Sequence, residues 1–195
     1  MAKSEICVQC YSTLTTVKKH LVANGFVLKD HYFQLDNYIT HLSREEVKKA
    51  PYAKIMENTI LLRRYKGDRV GSYLVYKHQL LNDDDIILSE DKVQAQVANM
   101  EDIQRIFSMV RVYNWAKYTV EEFEYTKNNI VIKVQNVSSL GTFIEIEEPK
   151  NMHGTAAYKL QDLTYLANSL GLDLGKDYDC KKNYMLYKKQ NRITS

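Results

Sequence analysis

Proline and glycine are scarce in this chain of 195 residues, at two and seven positions. So few breakers leave no room for a long flexible linker. Cysteine is scarce too. Three is an odd, small number, which argues against a disulfide framework and predicts reduced thiols in a cytoplasmic protein. The stretch Met1–Glu5 lacks the apolar run of a signal peptide. No segment approaches the roughly 18 apolar residues of a membrane span, so no membrane partner is expected. Charge of one sign is also short: 27 basic residues meet 24 acidic ones, for a net +3. That balance suits phosphate ligands but falls short of the basic stripe of a nucleic-acid binder, so no nucleic-acid partner is expected.

What is present is a globular composition, 45% hydrophobic and 26% charged, in a length that fits one domain with a sizeable core. A single domain over 1–195 is expected, with the segment 156–195 packing back on it. Ser4–Tyr11 alternates, with Ile6, Val8 and Cys10 on one face and Glu5, Cys7 and Gln9 on the other, the pattern of a strand. Cys7 and Cys10 have C-x-x-C spacing, but an offset of three on a strand points them to opposite faces, which excludes a redox pair or metal clip. Ser12 or Thr13 then caps a helix bearing Leu14, Val17 and Leu21, and Gly25 stops it. Strands follow at His31–Thr40, Thr59–Lys66 and Ser72–His78, with a charged excursion or short helix over Leu42–Ile55. Lys66–Gly71 reads as a hairpin turn.

The order then repeats. Asp91–Val97 reads as a strand, Met100–Val110 as a helix, and Tyr113–Tyr125, Asn129–Asn136 and Thr142–Glu148 as three more strands. Two related strand-helix-three-strand halves are predicted to build one sheet. Between them, Asn82–Asp85 lacks the alternating ligands of a calcium loop and reads as a solvated turn. Ala156–Leu170 reads as a third amphipathic helix, and Lys181–Tyr187 as a short strand or a draped tail.

Several strands carry a largely polar face opposite an apolar one: Glu5/Cys7/Gln9, Tyr32/Gln34/Asp36, Val131/Lys133/Gln135 and Phe143/Glu145/Glu147. An open sheet with its polar side in water satisfies this alternation. So does a barrel closed with its polar side inward, which also removes exposed edges. Alternation alone does not choose between them.

Motifs do. Val137–Glu147 resembles the "V-x-x-L-G-x-F-x-E-x-E" segment of CYTH domains, the superfamily of class IV adenylate cyclases and triphosphate tunnel metalloenzymes. Thr59–Arg64 resembles its "A-L-R-x-R-R" strand, Leu74–Lys77 its "L-T-Y-K", and Gln34–Tyr38 the "Q-x-D-x-Y" of the cyclase-like branch. Glu5 begins what corresponds to the signature "E-x-E-x-K". These matches fall in order over residues 4–190. The resemblance implies an α+β fold, a closed eight-stranded antiparallel barrel forming a triphosphate tunnel, flanked by helices. It also implies a nucleoside triphosphate or inorganic triphosphate as ligand. Arg63, Arg64, Lys77 and Lys117 are then the candidate phosphate-binding cations, and Glu5, Glu145 and Glu147 the candidate ligands of magnesium or manganese. The implied activity is adenylate cyclase-like or triphosphatase-like, with the metal stabilising developing charge while a hydroxyl or water attacks. Homodimerisation is left open.

The signature is degenerate. Cys7 and Gln9 replace its second glutamate and its lysine, Leu61 its first arginine, and Gln135 the aspartate ahead of "V-x-x-L-G". Glu121 and Glu122 stand where positive charge is expected. A neutral amide can bond phosphate but gives no Coulombic grip, and each lost charged contact costs about 1.5–3 kcal/mol. The alternative implied is an inactive phosphate-binding or protein-interaction module. Arg63 and Arg64 are adjacent on a strand, so at most one faces a tunnel. The lone Trp115 reads as core.

Overall fold

The computed structural model describes residues 5–81, 87–147 and 160–191, with side chains described outside 77–91, 160 and 191. The first half consists of β1 (Glu5–Cys10), α1 (Leu14–Ala23), β2 (Val27–Thr40), β3 (Thr59–Gly67) and β4 (Gly71–Leu81). The second consists of β5 (Ile87–Gln96), α4 (Met100–Met109), β6 (Tyr113–Lys127), β7 (Ile130–Val137) and β8 (Gly141–Glu147). The order expected from the sequence therefore occurs twice. Thr13 caps α1 by accepting from Thr16 N, and Asn24 closes the helix before Gly25 turns at φ +81°. The excursion after β2 is two short helices, α2 (Arg44–Lys49) and α3 (Tyr52–Glu57). A capping box of Ser43 and Glu46 starts α2, and Pro51 stands at the N-cap of α3. In the β3–β4 hairpin Gly67 has φ +111°, and a Cβ there would lie 2.9 Å from the carbonyl of His31, so the turn requires glycine.

The Asn82–Asp85 turn, Glu148 and the predicted helical residues 156–159 lie outside the described residues; α5 spans Leu160–Ser169. The segment read as a strand or a draped tail is instead a helix, α6 (Lys182–Asn191). Its apolar residues are contiguous, Tyr184 to Tyr187, which resembles a strand on paper. Packing decides otherwise, because Leu186 and Tyr187 bury against Tyr52 and Met56 of α3.

All eight strands form one sheet in the order β1-β8-β7-β6-β2-β3-β4-β5, and every neighbouring pair is antiparallel. Among the described residues no hydrogen-bonded pairing returns from β5 to β1, so the ladder is not closed as expected. The physical reason is visible at β1. Its free edge is taken by a later segment: Cys7 N donates to Tyr178 O at 3.0 Å, Cys180 N to Cys7 O at 2.9 Å, Gly175 N to Gln9 O at 2.8 Å and Tyr11 N to Asp173 O at 2.8 Å.

The two faces of the sheet differ as the alternation predicts. On the face we term outer, Ile6, Val8, Ile132, Val134, Ile144 and Ile146 pack with Val17 and Leu21 of α1 and Leu163 and Ala167 of α5. Each such fully buried side chain stabilises the fold by about 1.5–3 kcal/mol. Farther along the same face Met100 of α4 covers Ile39 and Leu62. The inner face is graded. One end is apolar, with Tyr38, Leu61, Val75, Trp115, Tyr118 and Phe143 packed under α3 and α6. The other end is ionic, and it carries the candidate residues.

Candidate functional site

Register brings distant residues of the chain together. Glu5 is the Cα partner of Glu147 and Cys7 that of Glu145 across β1–β8. Lys133 faces Glu145, and Gln135 faces Phe143, across β7–β8. One strand farther, Glu122 pairs with Gln135 and Glu124 with Lys133. Because alternate residues share a face, these side chains form one polar patch. Within it, carboxylate oxygens of Glu5, Glu145 and Glu147 lie within 4.8 Å of one another, so the three predicted metal ligands converge.

Two ammonium groups hold this acidic set. Lys133 Nζ is 3.3 Å from Glu145 Oε1 and also donates to Glu147. Lys182 of α6 donates to Glu145 Oε2 at 3.3 Å. Burial alone would raise the Glu145 carboxyl, but Lys182 and then Lys133 hold it down, to about 2. Burial opposes charge on the lysines. For Lys182, Cys7 and Glu145 outweigh it; for Lys133, Glu145 and Glu147 do; both stay protonated above their ordinary range. Glu122, 3% exposed, accepts from Tyr32 Oη and from Gln135 Nε2 at 2.9 Å, and burial pushes its carboxyl up.

Farther across the inner face, Arg63 makes a two-pronged bond to Asp36, Nε and Nη2 each 2.7 Å from a carboxylate oxygen. Asp36 is fully buried and also accepts from Gln34 Nε2 at 2.9 Å. Arg69, from the hairpin turn, bonds Asp30 at 2.9 Å and also Glu124. Arginine's planar fork suits such bidentate pairing.

Two further candidates lie elsewhere. Arg64 is on the outer face, 3.3 Å from Glu101 of α4. Lys117 is exposed and, as the Cα partner of Asn37, is on that outer face as well. Lys77 lies within β4 opposite Lys92. Cys7 and Cys10 are split between the two faces, as their spacing requires. Trp115 is core, its indole N–H donating to Thr59 Oγ1 at 2.9 Å. Sequence reasoning missed Lys182, Arg69 and the partnership of Glu122 with Gln135. The only hint was the acidic Glu122 where a cation was expected.

No family model matches the chain, and no curated protein matches it. Solved structures do. PH1819 from Pyrococcus horikoshii OT3 superposes with a TM-score of 0.64 at 14% identity, over 95% of this chain and 99% of that one. A candidate adenylate cyclase from Vibrio parahaemolyticus gives 0.61 at 10% identity, over 95% and 99%. HpAC1 from Hippeastrum, described as an adenylyl cyclase candidate with dominant triphosphatase activity, gives 0.58 at 12% identity, over 95% of each chain. The protein thus shares an antiparallel eight-stranded α+β fold with these structures. Its fold is CYTH-like, as the motifs from Gln34 to Glu147 suggest.

Proposed function

We propose that this chain binds a triphosphate-containing ligand, a nucleoside triphosphate or inorganic triphosphate, along the ionic end of its inner face. In this reading the sheet curves into a tunnel, and a divalent metal takes part in an adenylate cyclase-like or triphosphatase-like reaction. The observation that carries it is the convergence of Glu5, Glu145 and Glu147 within 4.8 Å beside the ammonium of Lys133. Carboxylate oxygens are the hard donors that magnesium and manganese favour, so the residues present fit such an ion in donor type. When bound, the ion supplies Lewis-acid stabilisation of phosphoryl charge. Lys133 bridges Glu145 and Glu147 and is placed to turn toward a phosphate oxygen once those carboxylates are neutralised otherwise. Lys182 keeps Glu145 ionised, and Tyr32 and Gln135 fix Glu122 behind it.

The test is calorimetric titration of inorganic triphosphate and of ATP, with and without manganese, followed by product analysis of each mixture that binds. Metal-dependent binding with turnover supports the reading, and the product names the reaction. Absence of binding by both ligands refutes it.

A second reading is favoured by one specific observation. Arg63, Arg69, Lys133 and Lys182 are each already paired with a carboxylate. A ligand phosphate must compete with these internal partners, and stripping a buried pair of one member costs about 3–5 kcal/mol. An inactive phosphate-binding or interaction module is the function expected if that competition is lost. Tight triphosphate binding without product distinguishes a phosphate-binding module from the enzyme.

A further inference from the structure

Gln135 is 5% exposed at the centre of the acidic patch. Its Nε2 donates to Glu122 at 2.9 Å and to Glu145 at 3.2 Å, which fixes the orientation of the amide: the nitrogen end lies against the two carboxylates. The other end, Oε1, is buried and has no hydrogen-bond partner among the described residues. Such an orphan is unusual, because a buried polar atom without a partner is costly.

The surrounding charge says what would complete it. Glu5, Glu122, Glu145 and Glu147 crowd this corner; Lys133 pairs with Glu145 and Glu147, and Lys182 with Glu145. Without a bound divalent metal an added anion is disfavoured there; a donor carrying positive charge is not. Both oxygens of Glu122 already accept, one from Tyr32 and one from Gln135. Both oxygens of Glu145 accept as well, from Lys133, Lys182 and Gln135. A metal ion at Gln135 would have to displace these donors to gather enough oxygens. An N–H donor needs Oε1 alone, and the Glu122 oxygens and Glu145 Oε1, each accepting one bond here, keep a second lone pair for its other hydrogens. Accessibility falls from Glu147, 40% exposed, to Glu145 at 14%, so Glu147 marks the more open side of the patch.

We infer that Gln135, flanked by Glu122 and Glu145, is an ammonium subsite whose Oε1 accepts from the terminal –NH₃⁺ of an aliphatic amine. This goes beyond the triphosphate reading and does not depend on it. The test uses the full chain, dialysed free of phosphate and divalent metal, titrated calorimetrically with 1,4-diaminobutane and spermidine. Tetramethylammonium supplies positive charge without an N–H, and potassium a bare monovalent ion. The primary amines bind and the two controls do not. Gln135→Leu weakens amine binding about tenfold or more, the size expected for one bond to a charged group. Gln135→Glu keeps the acceptor, adds charge, and binds amine at least as tightly as the wild type. No heat with either amine at millimolar concentration overturns the inference and leaves water as the partner of Oε1. Equal binding of tetramethylammonium, or an unchanged affinity in Gln135→Leu, also overturns it. If the leucine variant does not fold, weakened amine binding in Gln135→Glu does so instead. Triphosphate titration is a separate measurement, so either idea can fail alone.

Discussion

Replacing Glu145 by glutamine keeps the shape of the side chain and removes its charge, and the structure fixes what that should cost. Its carboxyl, ordinarily near 4.3, is held to about 2 against the opposing effect of burial, by Lys182 and Lys133. That difference corresponds to about 3 kcal/mol of stability at neutral pH. The figure agrees with the roughly 3–5 kcal/mol expected when a buried ion pair loses one partner. For a chain of this size each kcal/mol shifts the melting temperature by about 2–4 °C, so Glu145→Gln should melt about 6–12 °C lower at pH 7. The folded value lies below the unfolded one, so the wild type holds this contribution in full above about pH 5 and loses it as pH falls toward 2. The gap between wild type and variant should therefore narrow on acidification. Thermal melts followed by circular dichroism from pH 7 to pH 3 measure both quantities. A loss of less than about 2 °C at pH 7, or a gap that stays constant down to pH 3, would refute the pairing of Glu145 with its two lysines.

Three further outcomes follow from the same geometry. Arg63→Leu strands the fully buried Asp36 and should cost about 3–5 kcal/mol in urea unfolding, whereas Arg63→Leu with Asp36→Leu should recover more than half of it; no recovery would mean the two do not act as a pair. Arg64→Ala and Lys117→Ala, on the outer face, should change stability by less than about 0.5 kcal/mol and any measured triphosphate affinity by less than about twofold. Ile144→Ala empties a fully buried outer-face position and should cost about 2–5 kcal/mol, with ligand affinity unchanged at temperatures where the variant is folded.

The strands were legible because alternation is local. Ile6-Cys7-Val8 and Ile144-Glu145-Ile146 announce which side is buried without knowledge of any partner. The two carboxylates of β8 were legible from their motif. That Glu5 would face Glu147 was implied only by resemblance, since register between the first and last strands depends on the whole sheet. Adjacency split Arg63 from Arg64, but only the pairing of β3 with β2 shows that Arg63 is the one beside Asp36. Lys182 was illegible for a different reason. It arrives from a helix whose own sequence reads as a strand, and its place beside Glu145 is set by Leu186 and Tyr187 burying against α3. The lack of a β5–β1 pairing among the described residues likewise goes with residues 173–180 on the edge of β1, whose irregular sequence carries no strand signal.

The bond from Cys7 N to Tyr178 O has a consequence for biosynthesis. The first strand leaves the ribosome early but has neither neighbour until β8 and then the 173–180 segment have been made. Until then β1 presents Ile6 and Val8 with both hydrogen-bonding edges bare, the condition under which nascent chains pair with the wrong strand. A fold whose closing contacts join such distant residues should form slowly, and its yield on refolding should fall steeply with protein concentration.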